Sequence, residues 1–191
     1  MSDAAPASAA PAPPITATTL EVDVSDHVLA VTLNRPEKLN AFNRVMQDEL
    51  ESLWRWADGE PWVRVALISG AGERGFCSGV DIHASADERA RLGEARWTEV
   101  SVIGSRLTPR QCGSDLPTIV AVNGVCAGGG LYFVGDADIC LCSDNAFFTD
   151  PHVSYGRVSA LEPIGLLRHI PYQWVMRLAL GGRHSGVDAA T

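Results

Sequence analysis

Val63-Arg64-Val65-Ala66-Leu67-Ile68-Ser69, running into the glycine-rich stretch Gly70 to Gly79, decides the fold class. The continuous apolar end of this run is what a strand covered on both faces requires. Gly70 to Gly79 after it is a glycine-rich loop. Working outward, the pattern repeats. Pro117 to Val122 is a short apolar strand, Asn123 to Gly130 is a glycine-bearing turn, and the triple glycine opens a helix through Val134. Ile139 to Cys142 reads as another buried strand. Upstream, Leu20-Glu21-Val22-Asp23-Val24 alternates as a half-buried strand does, and Val28 to Leu33 follows across Ser25-Asp26-His27 as the second arm of a hairpin. Phe42 to Ala57 is helical. Val45, Met46, Leu50, Leu53 and Trp54 lie on one side, and Gln47, Asp48, Glu51 and Arg55 on the other. Helices are also expected over Leu92 to Arg110, Leu161 to Ile170 and Tyr172 to Leu180, the last two split by Pro171. Strands alternating with helices give an α/β layered fold.

Length and charge bound the function. The chain has 191 residues, which points to one domain. Its formal net charge of −8 argues against a nucleic-acid partner, which needs a basic face. No apolar run approaches the ~18 residues of a membrane helix. The N-terminus lacks the basic and apolar regions of a signal peptide. Five cysteines do not make a disulfide framework, so a cytoplasmic protein with reduced, buried thiols is expected. Residues 1–18 are read as a disordered tail, since six Ala and four Pro stand among the first fourteen positions. A transit peptide is the alternative, but the tail has no Arg and carries Asp3. The core domain then spans residues 19–191. Ser185 to Thr191 has the look of a helix start where the chain stops, which suggests a shortened chain.

Two turns can carry chemistry. One is Arg74-Gly75-Phe76-Cys77-Ser78-Gly79-Val80-Asp81-Ile82 and the other Asn123-Gly124-Val125-Cys126-Ala127-Gly128-Gly129-Gly130. Strand-to-helix turns leave backbone N–H groups free, and two such turns side by side could aim two N–H groups at one oxygen. Taken alone, each reads first as a tight turn. Neither nucleotide-binding glycine pattern is present.

Together with Val31-Thr32-Leu33-Asn34-Arg35-Pro36-Glu37-Lys38-Leu39-Asn40-Ala41 and Asp136-Ala137-Asp138-Ile139, these segments resemble the crotonase superfamily, the enoyl-CoA hydratase/isomerase family. The four motifs stand in the family's order and spacing from about residue 20 to the last residue. The resemblance implies a ββα spiral with two stacked sheets surrounded by helices. It implies an enzyme that binds acyl-CoA thioesters as substrate, with no separate cofactor and no metal. It also implies a homotrimer or hexamer built through a C-terminal helical part that this chain lacks. The family's oxyanion-hole positions fall on Val80 and Gly129. Its CoA-contact segments fall on Lys38, Leu39 and Ala41, and on Ser78, Asp81 and Ile82.

The departures set the chemistry. The family's two catalytic glutamate positions hold Tyr132 and His152. His152 is the candidate acid/base, because an imidazole titrates near pH ~6.5. Glu162 could orient it, or could be a first-turn carboxylate favoured by the helix dipole. Tyr132 could donate a hydrogen bond into the site or simply pack. Asp150 could be a turn residue before Pro151, and His83 is a secondary acid/base candidate. Cys140 and Cys142 share a strand face without zinc spacing, and the five tryptophans read as core or interface. Three readings follow: hydration or double-bond migration of an enoyl-CoA, C–C hydrolysis of a β-diketone, and a non-catalytic acyl-CoA binder.

Overall fold

The computed structural model describes residues 10–93, 106–182 and 186–188. Strands β1 (Leu20–Ser25) and β2 (Val28–Leu33) form an antiparallel hairpin from Leu20↔Leu33 to Ser25↔Val28. Its two-residue turn places Asp26 and His27 at positive φ, 48° and 68°, the geometry that matches the twist of the flanking strands. Helix α1 (Arg44–Asp58) follows. Asn43 caps it by accepting from Met46 N at 3.0 Å, and it buries Met46, Leu50, Leu53, Trp54 and Ala57 against the sheet. Trp54 is fully buried and its indole N–H donates to Leu107 O at 2.9 Å.

From here the chain repeats one manoeuvre. β3 (Val65–Gly70) joins the first sheet, β4 (Gly75–Cys77) joins a second, and α2 (Ile82–Leu92) closes the turn. β5 (Thr118–Val122), β6 (Val125–Ala127) and α3 (Leu131–Asp136) do the same. β7 (Ile139–Cys142) and β8 (Phe147–Thr149) begin a third turn, followed by α4 (Leu161–Leu166) and α5 (Tyr172–Gly181). Among the described residues the first sheet has the order β1-β2-β3-β5-β7, parallel beyond the opening hairpin. The second has the order β4-β6-β8-β9, where β9 is Val187–Asp188. This is the expected ββα spiral with two sheets and surrounding helices. Its use is positional: successive sheet-two strands end side by side, so the segments leaving β4, β6 and β8 converge.

Several expectations change. Val187–Asp188 pairs antiparallel with β8 and is a strand, not the start of a helix; Ser185 and Ala189 to Thr191 lie outside the described residues. Most of the expected helix from Leu92 to Arg110 also lies outside them, and its described end is turn and a 3-10 segment at Arg110–Cys112. Helix α2, which apolar periodicity does not show, is fixed by its caps: Asp81 accepts from Ala84 N, and Gly93 at φ 77° ends it. β7 is a strand as expected but not a buried one, with Ile139 53% and Leu141 58% exposed. Among the described residues it is the edge of its sheet, paired with β5 alone, and its composition could not show that. Cys140 and Cys142 are therefore exposed rather than buried, while Cys77 packs in the core as expected and Cys126 is buried with it. At the other end, Ile15 and Ala17 pack on the core and Thr18 bonds Glu49, so the packed chain reaches back past the expected boundary at residue 19. No helix among the described residues is long and apolar enough to cross a membrane.

Candidate active site

The first wall of the site is built by the segments after β2 and β4. Pro36–Lys38 forms a 3-10 turn, and Leu39 and Asn40 follow at positive φ. Buried Asn40 makes that conformation worth holding. Its amide donates to Ala71 O and Gly75 O at 3.0 and 2.8 Å, and its carbonyl accepts from Arg35 N at 2.9 Å. Arg35 in turn pairs with Asp81 at 2.9 Å. Burial pushes the Asp81 carboxyl up, but the Ala84 N–H and the Arg35 guanidinium outweigh it and hold its pKa below the usual range. The segments after β2 and β4 are thus locked together.

Phe42 and Val80 form a parallel bridge, with Phe42 N donating to Gly79 O at 2.9 Å and Asp81 N to Phe42 O at 2.8 Å. In such a bridge the flanking groups face the partner, so the N–H of Val80 faces away from Phe42. On the other side stands the 3-10 turn Gly128–Gly130 after β6. Gly129 is among its first residues, whose N–H groups have no acceptor within the turn. The two loops touch. A Cβ at Gly79, which has φ +91°, would lie 2.9 Å from Ala127 O and 3.1 Å from Gly129 N. Only glycine permits both that φ and that approach.

The third wall comes from the segment after β8. Pro151 leads into a 3-10 turn at His152–Tyr155, and this bends His152 back onto the carboxylate two residues earlier. Asp150 is 1% exposed; its Oδ1 lies 2.5 Å from His152 Nδ1 and accepts from His152 N at 3.1 Å, while its Oδ2 accepts from Ser159 Oγ. The carboxylate hydrogen-bonded to His152 Nδ1 is therefore Asp150, not Glu162. Glu162 lies across the ring, its Oε1 3.8 Å from His152 Nε2, buried and hydrogen-bonded by the Tyr132 hydroxyl. Tyr132 does not simply pack: burial and the Glu162 carboxylate push its pKa up and keep the phenol protonated. The Asp150 hydrogen bond raises the His152 pKa above 6.5 against the effect of burial. Burial disfavours the Asp150 anion, yet hydrogen bonds from His152 and Ser159 more than offset this and lower its pKa. Asp150, His152 and Glu162 offer ligand atoms within 4.8 Å of one another, close enough for a cation to bridge. As they stand, Asp150 bonds His152 and Ser159, and Glu162 bonds Tyr132.

The walls enclose two adjoining cavities. A groove of about 550 Å³ takes in Lys38, Ala41, Ser78, Asp81 and Ile82 together with Val80, Gly129 and His152. His83 lines it too. The smaller cavity, about 270 Å³, continues from Val80 and Gly129 past Phe42, Tyr132, His152 and Glu162. Leu39 is the expected contact residue that lines neither; its side chain packs on Gly75, and its carbonyl accepts from Ser78 N. Sequence reasoning missed the pairing of Asp150 with His152 and the role of Ser159 behind it. The signal was present in Asp150-Pro151-His152, since a proline turn two residues long brings such side chains together. It also missed Arg157, which lines both cavities.

The chain is similar to known proteins in sequence and in fold. The pattern of the Enoyl-CoA hydratase/isomerase family matches residues 23–191. The mevalonyl-coenzyme A hydratase of Aspergillus fumigatus is 39% identical over 157 residues, covering 82% of this chain and 56% of that protein. The (E)-benzylidenesuccinyl-CoA hydratase of Thauera aromatica is 31% identical over 170 residues, covering 88% and 64%. The crystal structure of an enoyl-CoA hydratase/isomerase from Mycobacterium paratuberculosis superposes with a TM-score of 0.77 at 33% identity, covering 92% of this chain and 65% of that one. The chain thus spans a little over half to two thirds of the length of the relatives it matches. With its spiral fold and these matches, the chain belongs to the enoyl-CoA hydratase/isomerase family of the crotonase superfamily.

Proposed function

We propose that this chain processes acyl-CoA thioesters through an enolate, adding water to a 2-enoyl-CoA or removing it. The observation that carries the reading is the shared cavity: Val80 and Gly129 face the same space as His152 and Glu162. The N–H groups of Val80 and Gly129 donate to the thioester oxygen and form the oxyanion hole. They strengthen as negative charge develops there, which is where electrostatic catalysis gains most. His152 Nε2 takes a proton from water as the water oxygen bonds to Cβ, and the π electrons move onto the thioester oxygen. The resulting imidazolium returns the proton to Cα, and the carbonyl reforms. Asp150 stabilises that imidazolium and fixes the tautomer that leaves Nε2 unprotonated at the start. Glu162, held by Tyr132, positions the water or the transferred proton. CoA lies along the groove past Lys38, Ala41, Ser78, Asp81 and Ile82, with Lys38 toward a phosphate. No cofactor beyond the CoA of the substrate is required. The cytoplasm and a homotrimer or hexamer belong to the same proposal, the latter supported by the exposed face of β7; sedimentation checks it.

A His–Asp base beside an oxyanion hole also suits C–C hydrolysis of a β-diketone, with an enolate as leaving group. Product analysis separates the two, because hydration keeps the carbon skeleton. The test is loss of conjugated enoyl-thioester absorbance with a panel of 2-enoyl-CoAs. Wild type should turn over, and His152→Ala should lose at least ~100-fold in kcat/KM. Turnover that survives the substitution would remove His152 from its role. No turnover at any chain length, with cleavage of a diketone instead, would favour the second reading.

A further inference from the structure

Arg157 is the cation that the reaction above leaves unused. It follows Gly156, which is left-handed at φ 68°, and its N–H donates to His152 O at 2.9 Å, so the acid/base turn itself anchors it. Its side chain lines both the groove and the smaller cavity. Arg35, Arg44, Arg55, Arg106, Arg110 and Arg168 each pair with a carboxylate; among the described residues Arg157, like Arg64, Arg74 and Arg177, shows no such pair, but unlike those three it lines the groove and the smaller cavity. The two carboxylates nearest the site are already engaged, Asp150 by His152 and Ser159, and Glu162 by Tyr132. Beside these groups the smaller cavity is lined by Phe42 and Val80 and, on its solvent-exposed side, by Val158, Ala160 and Leu161. A hydrocarbon acyl chain would bring nothing to a guanidinium at the rim of that cavity. A carboxylate at the far end of the acyl group would match it, because arginine's planar fork accepts a carboxylate through two parallel hydrogen bonds.

Resting on the acyl-CoA reading of this site, we propose that Arg157 determines specificity by binding a second carboxylate on the acyl group. The substrate class is then the CoA monothioester of a short dicarboxylic acid. The other anionic partner within reach of this groove is a phosphate of CoA itself, and the experiment separates the two.

Binding of butyryl-CoA, succinyl-CoA and free CoA is measured by titration calorimetry on wild type, Arg157→Leu and Arg157→Lys. These ligands differ in the terminal carboxylate and in the acyl group, and need no turnover. Wild type should bind succinyl-CoA at least ~10-fold more tightly than butyryl-CoA, the ratio a charge-assisted hydrogen bond supplies. Arg157→Leu should bring that ratio near one, and Arg157→Lys should keep part of it. A wild-type ratio near one, or a ratio kept in Arg157→Leu, overturns the proposal while leaving the acyl-CoA reading intact. Equal weakening of all three ligands in Arg157→Leu also overturns it and assigns the guanidinium to a CoA phosphate. Failure of every CoA ligand to bind wild type overturns the acyl-CoA reading, and the role of Arg157 with it.

Discussion

Replacing Asp150 by Asn isolates the charge behind His152. The amide keeps an acceptor oxygen 2.5 Å from Nδ1 and nearly the same shape, so what is lost is the negative charge. Asp150 is 1% exposed, so solvent does little to screen that charge. A hydrogen bond to a charged group contributes about 1.5–3 kcal/mol, which corresponds to roughly 10- to 150-fold in kcat/KM if the imidazolium forms in the transition state. The pH dependence gives a second readout. As a base His152 must be neutral, so its raised pKa sets the acid limb of kcat/KM above pH 6.5. Removing the charge lowers that pKa, and the acid limb should move to lower pH. Stability carries the same sign. The raised His152 pKa contributes stability that is present below 6.5 and lost as pH rises through the folded value. The lowered Asp150 pKa contributes stability that is present above 3.8 and lost as pH falls through the folded value. Wild type should therefore gain most over Asp150→Asn between these limits. The assay is a pH–rate profile with a 2-enoyl-CoA, beside denaturant unfolding at each pH. A variant within twofold of wild type with an unmoved acid limb would refute the reasoning.

Other substitutions probe the scaffold. Gly79→Ala places a Cβ 2.9 Å from Ala127 O at φ +91°, and should cost about 1–3 kcal/mol of backbone strain together with most of the activity; unchanged thermal unfolding would contradict this. Trp54→Phe leaves the Leu107 carbonyl without its donor and should destabilise by about 1–3 kcal/mol in urea unfolding. Arg35→Ala strands the buried Asp81 and should cost about 3–5 kcal/mol, with weaker CoA binding by calorimetry because the loops after β2 and β4 are no longer tied.

The sequence was most legible where local chemistry and packing agree. The hairpin, α1 and the apolar core of β3 and β5 follow from alternation and helical spacing, and the turn at Asp26-His27 from its polarity. The two glycine turns after β4 and β6 were legible because glycine has few other reasons to recur after buried strands. β7 was misread as buried, since Ile139-Cys140-Leu141-Cys142 has the composition of a covered strand and only topology puts it at an edge. α2 was invisible to apolar periodicity because caps define it. In the site, residue types pointed to His152, but the choice between Asp150 and Glu162 as its partner depends on which side of the ring each reaches. That is set by the turn after Pro151, not by residue type. Arg157 gave no signal, as a lone surface arginine in sequence looks like any other.

The central claim is that this site forms a thioester enolate with His152 as the base. Exchange of the α-protons of butyryl-CoA in D₂O, followed by proton NMR, tests it without requiring hydration. Wild type should exchange them and His152→Ala should not. Exchange at the wild-type rate in His152→Ala, or none in wild type that binds the thioester, would contradict it.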